Sequence, residues 1–296
     1  MRIGVLTGGG DCPGLNAVIR AIVRKGINGH GHEFVGFRYG WAGVVSNEAR
    51  ELTLDSTRGI LHRGGTILGS SRTNPYKVDG GVDEVREAMA AQRLDALIPI
   101  GGEDTLGVAG RLSADGINIV GVPKTIDNDL AATDFTFGFQ TAVQIATDAI
   151  DRLHTTAESH NRVIIVEVMG RHAGWIAAVA SIAGGADYCL VPEKPFDIDD
   201  VCSSVQRRKQ KGKEFSIIVV AEGAQAVGGQ VTTTTGKKDE FGHEQLGGIG
   251  YWVAQEIEKR TGFETAIELK TDARFFGVRA LRPSGAEATS ETVPVS

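Results

Sequence analysis

Hydrophobic residues fall along this chain in two alternating rhythms: short, nearly unbroken apolar runs, and longer stretches with an apolar stripe every three or four positions. The first rhythm is that of strands buried on both faces, the second that of helices laid against them. Strands are predicted at 2–7, 33–38, 96–100, 117–122, 162–168, 186–191 and 215–220. Helices are predicted at about 16–27, then 82–91, 106–114, 137–159, 175–183, 198–211 and 245–260. The longest of these carries Ala142, Ile145, Ala149, Ile150 and Leu153 as its apolar stripe. A strict β-α alternation predicts an α/β protein with doubly wound, mainly parallel sheets. Two lobes facing a common cleft are expected, one of residues 1–138 plus about 251–265, the other of residues 139–250. Residues 266–296 break the pattern. From Pro283 to Ser296 they are rich in Ser, Thr, Pro and Glu, the composition of a partly disordered tail. The glycine-flanked threonines 232–235 are expected to form a mobile loop.

Composition narrows the class. Of 296 residues, 41% are apolar and 23% charged, ordinary for a globular protein, but 40 are glycine. So many glycines suggest tight loops and close backbone approaches, as in phosphate-binding α/β proteins. A net charge of −6 argues against a nucleic-acid partner. No apolar run approaches the roughly 20 residues of a membrane span, and the chain opens directly on a strand rather than a signal peptide. Cys12, Cys189 and Cys202 lie far apart without metal-ligand spacing, which suggests reduced thiols and a cytoplasmic setting.

The chemistry concentrates where strands end. Val122-Pro123-Lys124-Thr125-Ile126-Asp127-Asn128-Asp129 follows the apolar run 117–122, and Pro123, lacking an N–H, is expected to stop that strand. Charged loops at carboxyl ends of parallel strands are where open α/β sheets bind ligands, although an Asx-rich turn capping the next helix has the same composition. Gly8-Gly9-Gly10-Asp11, between a strand and a helix, makes a phosphate cradle of backbone N–H groups and helix dipole. It is neither a G-x-G-x-x-G nor a Walker loop, so no dinucleotide is indicated. Arg72 follows a second glycine-serine loop and reads equally as a phosphate ligand or a surface arginine. Gly101-Gly102-Glu103-Asp104-Thr105 repeats the cradle geometry with two carboxylates in it. One of them would serve as a helix N-cap; alternatively Glu103 would hold Mg2+ against phosphate oxygens.

Taken together, Gly-Gly-Asp-x-Pro-Gly-x-Asn (residues 9–16), Gly-Gly-acid-x-Thr (101–105), Pro-x-Thr-Ile-Asp-Asn-Asp (123–129), Met-Gly-Arg (169–171) and Ala-Glu-Gly (221–223) resemble the phosphofructokinase family, in family order, from Met1 to about Thr265. The resemblance implies Mg2+-dependent transfer of a phosphoryl group to the 1-hydroxyl of fructose 6-phosphate. The first lobe would bind the donor and the second the sugar. Asp127 would be the base, supported by Thr125 and Asp129. Gly10, Arg72, Gly102, Asp104 and Lys124 would meet the donor, and Lys124 and Arg171 would offset charge on the transferring group. Met169, Gly170, Arg171 and Glu222 would grip the sugar. Arg162 matches an arginine that reaches the neighbouring subunit's sugar phosphate, which implies a homodimer or homotetramer. Asp104, where ATP-using relatives have glycine, together with Lys124, resembles the branch that uses pyrophosphate; ATP is the alternative donor. The pattern departs after Thr265. Ala266 stands where the family has an arginine, and 267–296 lacks the His-x-Gln-Arg-Gly-Gly loop that binds the sugar phosphate.

Overall fold

A computed structural model of the chain describes residues 1–131, 133–229 and 248–265 in full, and 233–238, 244–246, 266–272, 275–279 and 292–294 as backbone strands. The chain divides into two compact units, Met1–Ile126 with Leu130–Gly138, and Asp127–Asp129 with Phe139–Ser296.

The first unit runs β1 (Arg2–Thr7), α1 (Leu15–His30), β2 (Glu33–Phe37), α2 (Trp41–Val45), β3 (Ala49–Leu52), α3 (Gly81–Ala91), β4 (Ala96–Gly101), α4 (Glu103–Ala114), β5 (Val122–Thr125) and β6 (Phe137–Gly138). Its sheet has the order β3-β2-β1-β4-β5-β6. All neighbours are parallel except β3 on β2. β1 is central and buried from Ile3 to Thr7, as its unbroken apolar run requires. α1 lays Leu15, Val18, Ile19 and Val23 on one side of this sheet. On the other side pack Trp41, Val85, Val108 and Leu112. α1 stops at Gly31, whose φ of 64° is the left-handed conformation that suits glycine at a helix end.

The second unit runs α5 (Phe139–His160), β7 (Val163–Val168), α6 (Trp175–Ala183), β8 (Tyr188–Leu190), α7 (Ile198–Gln210), β9 (Ser216–Ala221), β10 (Thr233–Lys238), β11 (Glu244–Leu246), α8 (Ile249–Thr261), β12 (Thr265–Asp272), β13 (Phe275–Arg279) and β14 (Thr292–Pro294). Its sheet has the order β14-β13-β12-β7-β9-β8, parallel from β12 to β8 and antiparallel at β13 and β14. β7 and β9 are buried throughout and form the spine of its core.

Both units are thus α/β with a mainly parallel sheet, and several boundaries differ from the sequence reading. Of the run 117–122 only Val122 is in a strand, as the first residue of β5, while 117–121 pair with β4 through an isolated bridge at Ile119. Pro123 lies inside β5, opposite Gly101, instead of stopping it. The ring is tolerated because β6 reaches back only as far as Lys124, so its missing N–H is not called on. Residues 233–235 belong to β10, which pairs antiparallel with β11, while 230–232 lie outside the described residues. Residues 251–265 pack in the second unit rather than the first. α8 is anchored there by Glu167 at the end of β7, a carboxylate 2% exposed that accepts the N–H groups of Gly248 (3.0 Å) and Gly250 (2.8 Å). The tail expected to be partly disordered lies, for 273–274, 280–291, 295–296 and every side chain beyond 265, outside the described residues. No helix among the described residues is long and apolar enough to cross a membrane.

Candidate active site

In the first unit the turns after β1 and β4 meet, with Lys124 of β5 beneath them and residues 70–71 bonded to Gly9. β1 ends at Gly8, whose N–H donates to Ile100 O at the end of β4 (2.9 Å). Gly8 and Gly101 are glycines because Thr105 fills the space between them. A Cβ on Gly8 would lie 2.5 Å from Thr105 Oγ1, and one on Gly101 would lie 2.4, 2.5 and 2.7 Å from three atoms of the same side chain. Thr105 is itself buried and its carbonyl accepts the Trp41 indole N–H at 3.3 Å. The Gly-Gly-acid-x-Thr motif is therefore a packing unit that seats two strand ends on the first turn of α4.

Glu103 and Asp104 both stand in that first turn, exposed, where the helix dipole favours negative charge. Gly102 occupies the N-cap position and no side chain makes a capping bond, so neither carboxylate serves as the cap. A Cβ on Gly102 would meet only Lys124 O, at 3.4 Å. Lys124 is not in a loop. It lies on β5, 5% exposed, with its ammonium donating to Gly10 O and 3.6 Å from the point a Gly9 Cβ would occupy. A charged group so buried stands only where other groups compensate it, and here it sits directly beneath the glycine loop. Gly10 itself faces open space, with nothing within 4 Å of where its Cβ would stand.

A second loop is laced onto the first. Gly9 N–H donates to Ser71 O (3.0 Å) and the Ser70 hydroxyl donates to Gly9 O. Arg72, next in sequence, is exposed beside them. Cys12, buried, donates its thiol to Phe137 O at 3.0 Å, and a Cβ on Gly138 (φ 103°) would collide with its sulfur at 2.0 Å. Thr125 ends β5, its carbonyl accepting the Thr136 hydroxyl at 2.8 Å.

In the second unit Asp127 is partly buried, Asn128 takes the left-handed conformation (φ 54°), and Asp129 is exposed. β7 leads into Met169, Gly170 and Arg171, with Gly170 at φ 146°. The end of β9 braces this turn: Glu222 N–H donates to Val168 O (2.8 Å) and Gly223 N–H to Gly170 O (3.0 Å). A Cβ on Gly223 would fall 2.0 Å from Arg171 O, so the glycine admits the turn that carries Arg171. From the other side, Gly174 N–H donates to Glu193 Oε1 at 2.7 Å. Arg162 precedes β7 and pairs within its own chain with Glu264 at 2.6 Å. Sequence reading missed Asn16, Thr105, Glu193 and Gly223 as architects of these loops. Asn16, Thr105 and Gly223 each stand in one of the motifs quoted above, whereas Glu193 carried no signal.

Paired strand-glycine-helix turns, one bearing exposed carboxylates and the other undercut by a buried ammonium, make this an α/β protein built to bind phosphate groups. A family model described as phosphofructokinase matches residues 2–277. Pyrophosphate–fructose 6-phosphate 1-phosphotransferase of Amycolatopsis mediterranei is 66% identical over 90% of this chain and 77% of its own length. ATP-dependent 6-phosphofructokinase 3 of Streptomyces coelicolor is 56% identical over 89% and 77%. Phosphofructokinase of Saccharomyces cerevisiae superposes with a TM-score of 0.77 at 30% identity, over 92% of this chain and 38% of that one. The chain belongs to the phosphofructokinase family.

Proposed function

We propose that this chain transfers a phosphoryl group from pyrophosphate to the 1-hydroxyl of fructose 6-phosphate, reversibly, in the cytoplasm and with Mg2+. The observation that carries the donor assignment is the pair Glu103 and Asp104, exposed in the first turn of α4 and not consumed as caps. A carboxylate at position 104 opposes any phosphate group beyond those the cradle accepts, which disfavours a nucleotide. The relative at 66% identity that is named for pyrophosphate supports the same choice.

The donor-side residues are Gly10, Arg72, Gly102, Asp104 and Lys124. Lys124 acts as a buried point charge under the glycine loop, a role suited to an ammonium rather than a guanidinium fork. Mg2+ fits this donor set. It prefers hard oxygens and binds through one or two carboxylates plus phosphates and water, so a cluster of three or more protein ligands, absent among the described residues, is not required. Glu103 would hold it, and when bound it would neutralise charge on the transferring group. Asp127 accepts the proton of the sugar hydroxyl, the part a carboxylate within hydrogen-bond reach can play. Thr125 and Asp129 support its loop. Arg171 stabilises the transferring group, since positioning and electrostatics dominate phosphoryl-transfer catalysis. Met169, Gly170, Arg171 and Glu222 hold the sugar. In a homodimer or homotetramer Arg162 would exchange Glu264 for the neighbouring copy's sugar phosphate.

Two further readings have support. ATP as donor is favoured by the ATP-dependent relative at 56% identity. A phosphate-binding homologue without turnover is favoured by Ala266 and by the absence of a His-x-Gln-Arg-Gly-Gly loop after it. The test is purified protein with fructose 6-phosphate, Mg2+ and either donor, following fructose 1,6-bisphosphate. Turnover with pyrophosphate, lost by about a hundredfold or more in kcat in Asp127→Ser, is the expected result. No product with either donor sinks the enzymatic reading.

A further inference from the structure

Residues 63–72 contain no helix or strand, yet they carry Arg72 and brace Gly9. What fixes them is a buried amide. Asn16, in the first turn of α1, is 1% exposed. Its Nδ2 donates to Arg63 O (3.0 Å) and Gly64 O (3.2 Å), and its Oδ1 accepts Ile67 N–H (2.7 Å). One side chain therefore closes the turn 63–67 with three bonds, nearly its full capacity. The loop continues from this anchor through hydroxyls. Thr66 Oγ1 meets Thr7 Oγ1 at 2.9 Å, and Thr7 donates on to Gly69 O at 2.8 Å. Ser70 and Ser71 then clasp Gly9 from both of its backbone groups, and Arg72 follows.

We propose that Asn16 is a positioning residue of the donor site: through residues 63–71 it sets where Arg72 and the Gly9 backbone stand, without touching the donor. This rests on the reading of Gly10 and Arg72 as donor-binding residues. The chemistry is specific to an amide. A carboxylate of the same shape keeps the acceptor for Ile67 N–H but turns both donors into acceptors facing the carbonyls of Arg63 and Gly64. The loop must then move, and Arg72 moves with it. None of the side chains that fix the loop, Asn16, Thr7, Thr66 or Ser70, is among those assigned to the sugar, so the sugar KM is expected to stay nearly unchanged.

The experiment compares the full chain with Asn16→Asp and Asn16→Ala. Three readouts are taken: KM for pyrophosphate at saturating sugar, KM for fructose 6-phosphate at saturating pyrophosphate, and hydrogen exchange of amides 66–71. The expected result is a pyrophosphate KM raised about tenfold or more, a sugar KM within about twofold, and faster exchange confined to the loop. A merely structural role would lower thermal stability and move both KM values together or neither; either outcome overturns the proposal. Should Asn16→Asp not fold, Thr66→Val removes the hydroxyl pair at nearly constant volume and is expected to shift the same KM in the same direction. If the unmodified protein turns over neither donor, the functional reading fails separately. Calorimetric binding of Mg-pyrophosphate then decides: binding weakened about tenfold in Asn16→Asp supports the positioning role, and equal binding, or none by the unmodified chain, overturns it.

Discussion

Replacing Gly101 by alanine tests whether the glycine motif is a packing unit. The new methyl carbon would sit 2.4, 2.5 and 2.7 Å from Cβ, Cγ2 and Oγ1 of Thr105, all inside the 3.0 Å that real contacts respect. Thr105 has little room to yield by rotating, because it is buried and a β-branched side chain in a helix has few χ1 choices. The backbone of β4 or α4 must shift instead, and overpacking of this kind costs about 1–3 kcal/mol. Thr105→Ala removes the obstructing atoms and, alone, costs about 1 kcal/mol for a lost methyl group and hydroxyl. If the clash is with Thr105, the double variant should be less destabilised than the sum of the singles by at least about 1 kcal/mol, a coupling well above the additivity error of about 0.5. Urea unfolding of the four proteins measures it. The control is Gly107→Ala, within α4 and with nothing within 4 Å of its would-be methyl group, which should stabilise by about 0.5–1 kcal/mol. Additive effects at 101 and 105 would refute the reasoning.

Three further outcomes are expected. Glu167→Gln keeps one acceptor for the two backbone N–H donors at the start of α8 and loses the charge, so it should lower stability by about 2 kcal/mol, seen as a lower Tm; an unchanged Tm would mean that the carboxylate is not what seats the helix. Gly223→Ala should push Arg171 O aside and raise the fructose 6-phosphate KM about tenfold or more with the pyrophosphate KM unmoved; equal effects on both would contradict the assigned role. Burial pushes the Cys189 and Cys202 thiols above the ordinary range, so they remain protonated to higher pH and should react with a disulfide reagent slowly at pH 8 and faster only as pH rises further; rapid modification of both in the folded protein would show the burial to be wrong.

What the sequence made legible follows from the range of the forces involved. Strand-glycine-helix turns were readable because an apolar run and the glycines after it are local signals. The charged loop at 126–129 was readable for the same reason, whereas Glu103 and Asp104, read as a loop before a helix at 106, stand in the first turn of α4. Lys124 was misplaced into a loop because Pro123 ordinarily ends a strand; that its missing N–H is not called on depends on how far β6 extends, fourteen residues on. α2 has only five residues and β3, Ala-Arg-Glu-Leu, is a polar edge strand, so neither carries an apolar period long enough to recognise. Asn16, Thr105 and Gly223 take their meaning from partners distant in sequence or from space seen only in three dimensions. The packing of α8 against β7, likewise, is set by a carboxylate more than eighty residues away.

Position 104 is proposed to select the phosphoryl donor. Two unit charges about 4 Å apart repel by about 1 kcal/mol in water and about 4 kcal/mol at an effective dielectric of 20. Asp104 is exposed until a donor covers it, so its discrimination should fall between about fivefold and a thousandfold. The measurement is kcat/KM for pyrophosphate and for Mg-ATP, on the unmodified chain and on Asp104→Gly, with saturating fructose 6-phosphate. The expected result is a preference for pyrophosphate of at least about fivefold, and a gain in ATP use when the carboxylate is removed. Equal use of both donors by the unmodified chain, or ATP use that Asp104→Gly leaves unchanged, would contradict it.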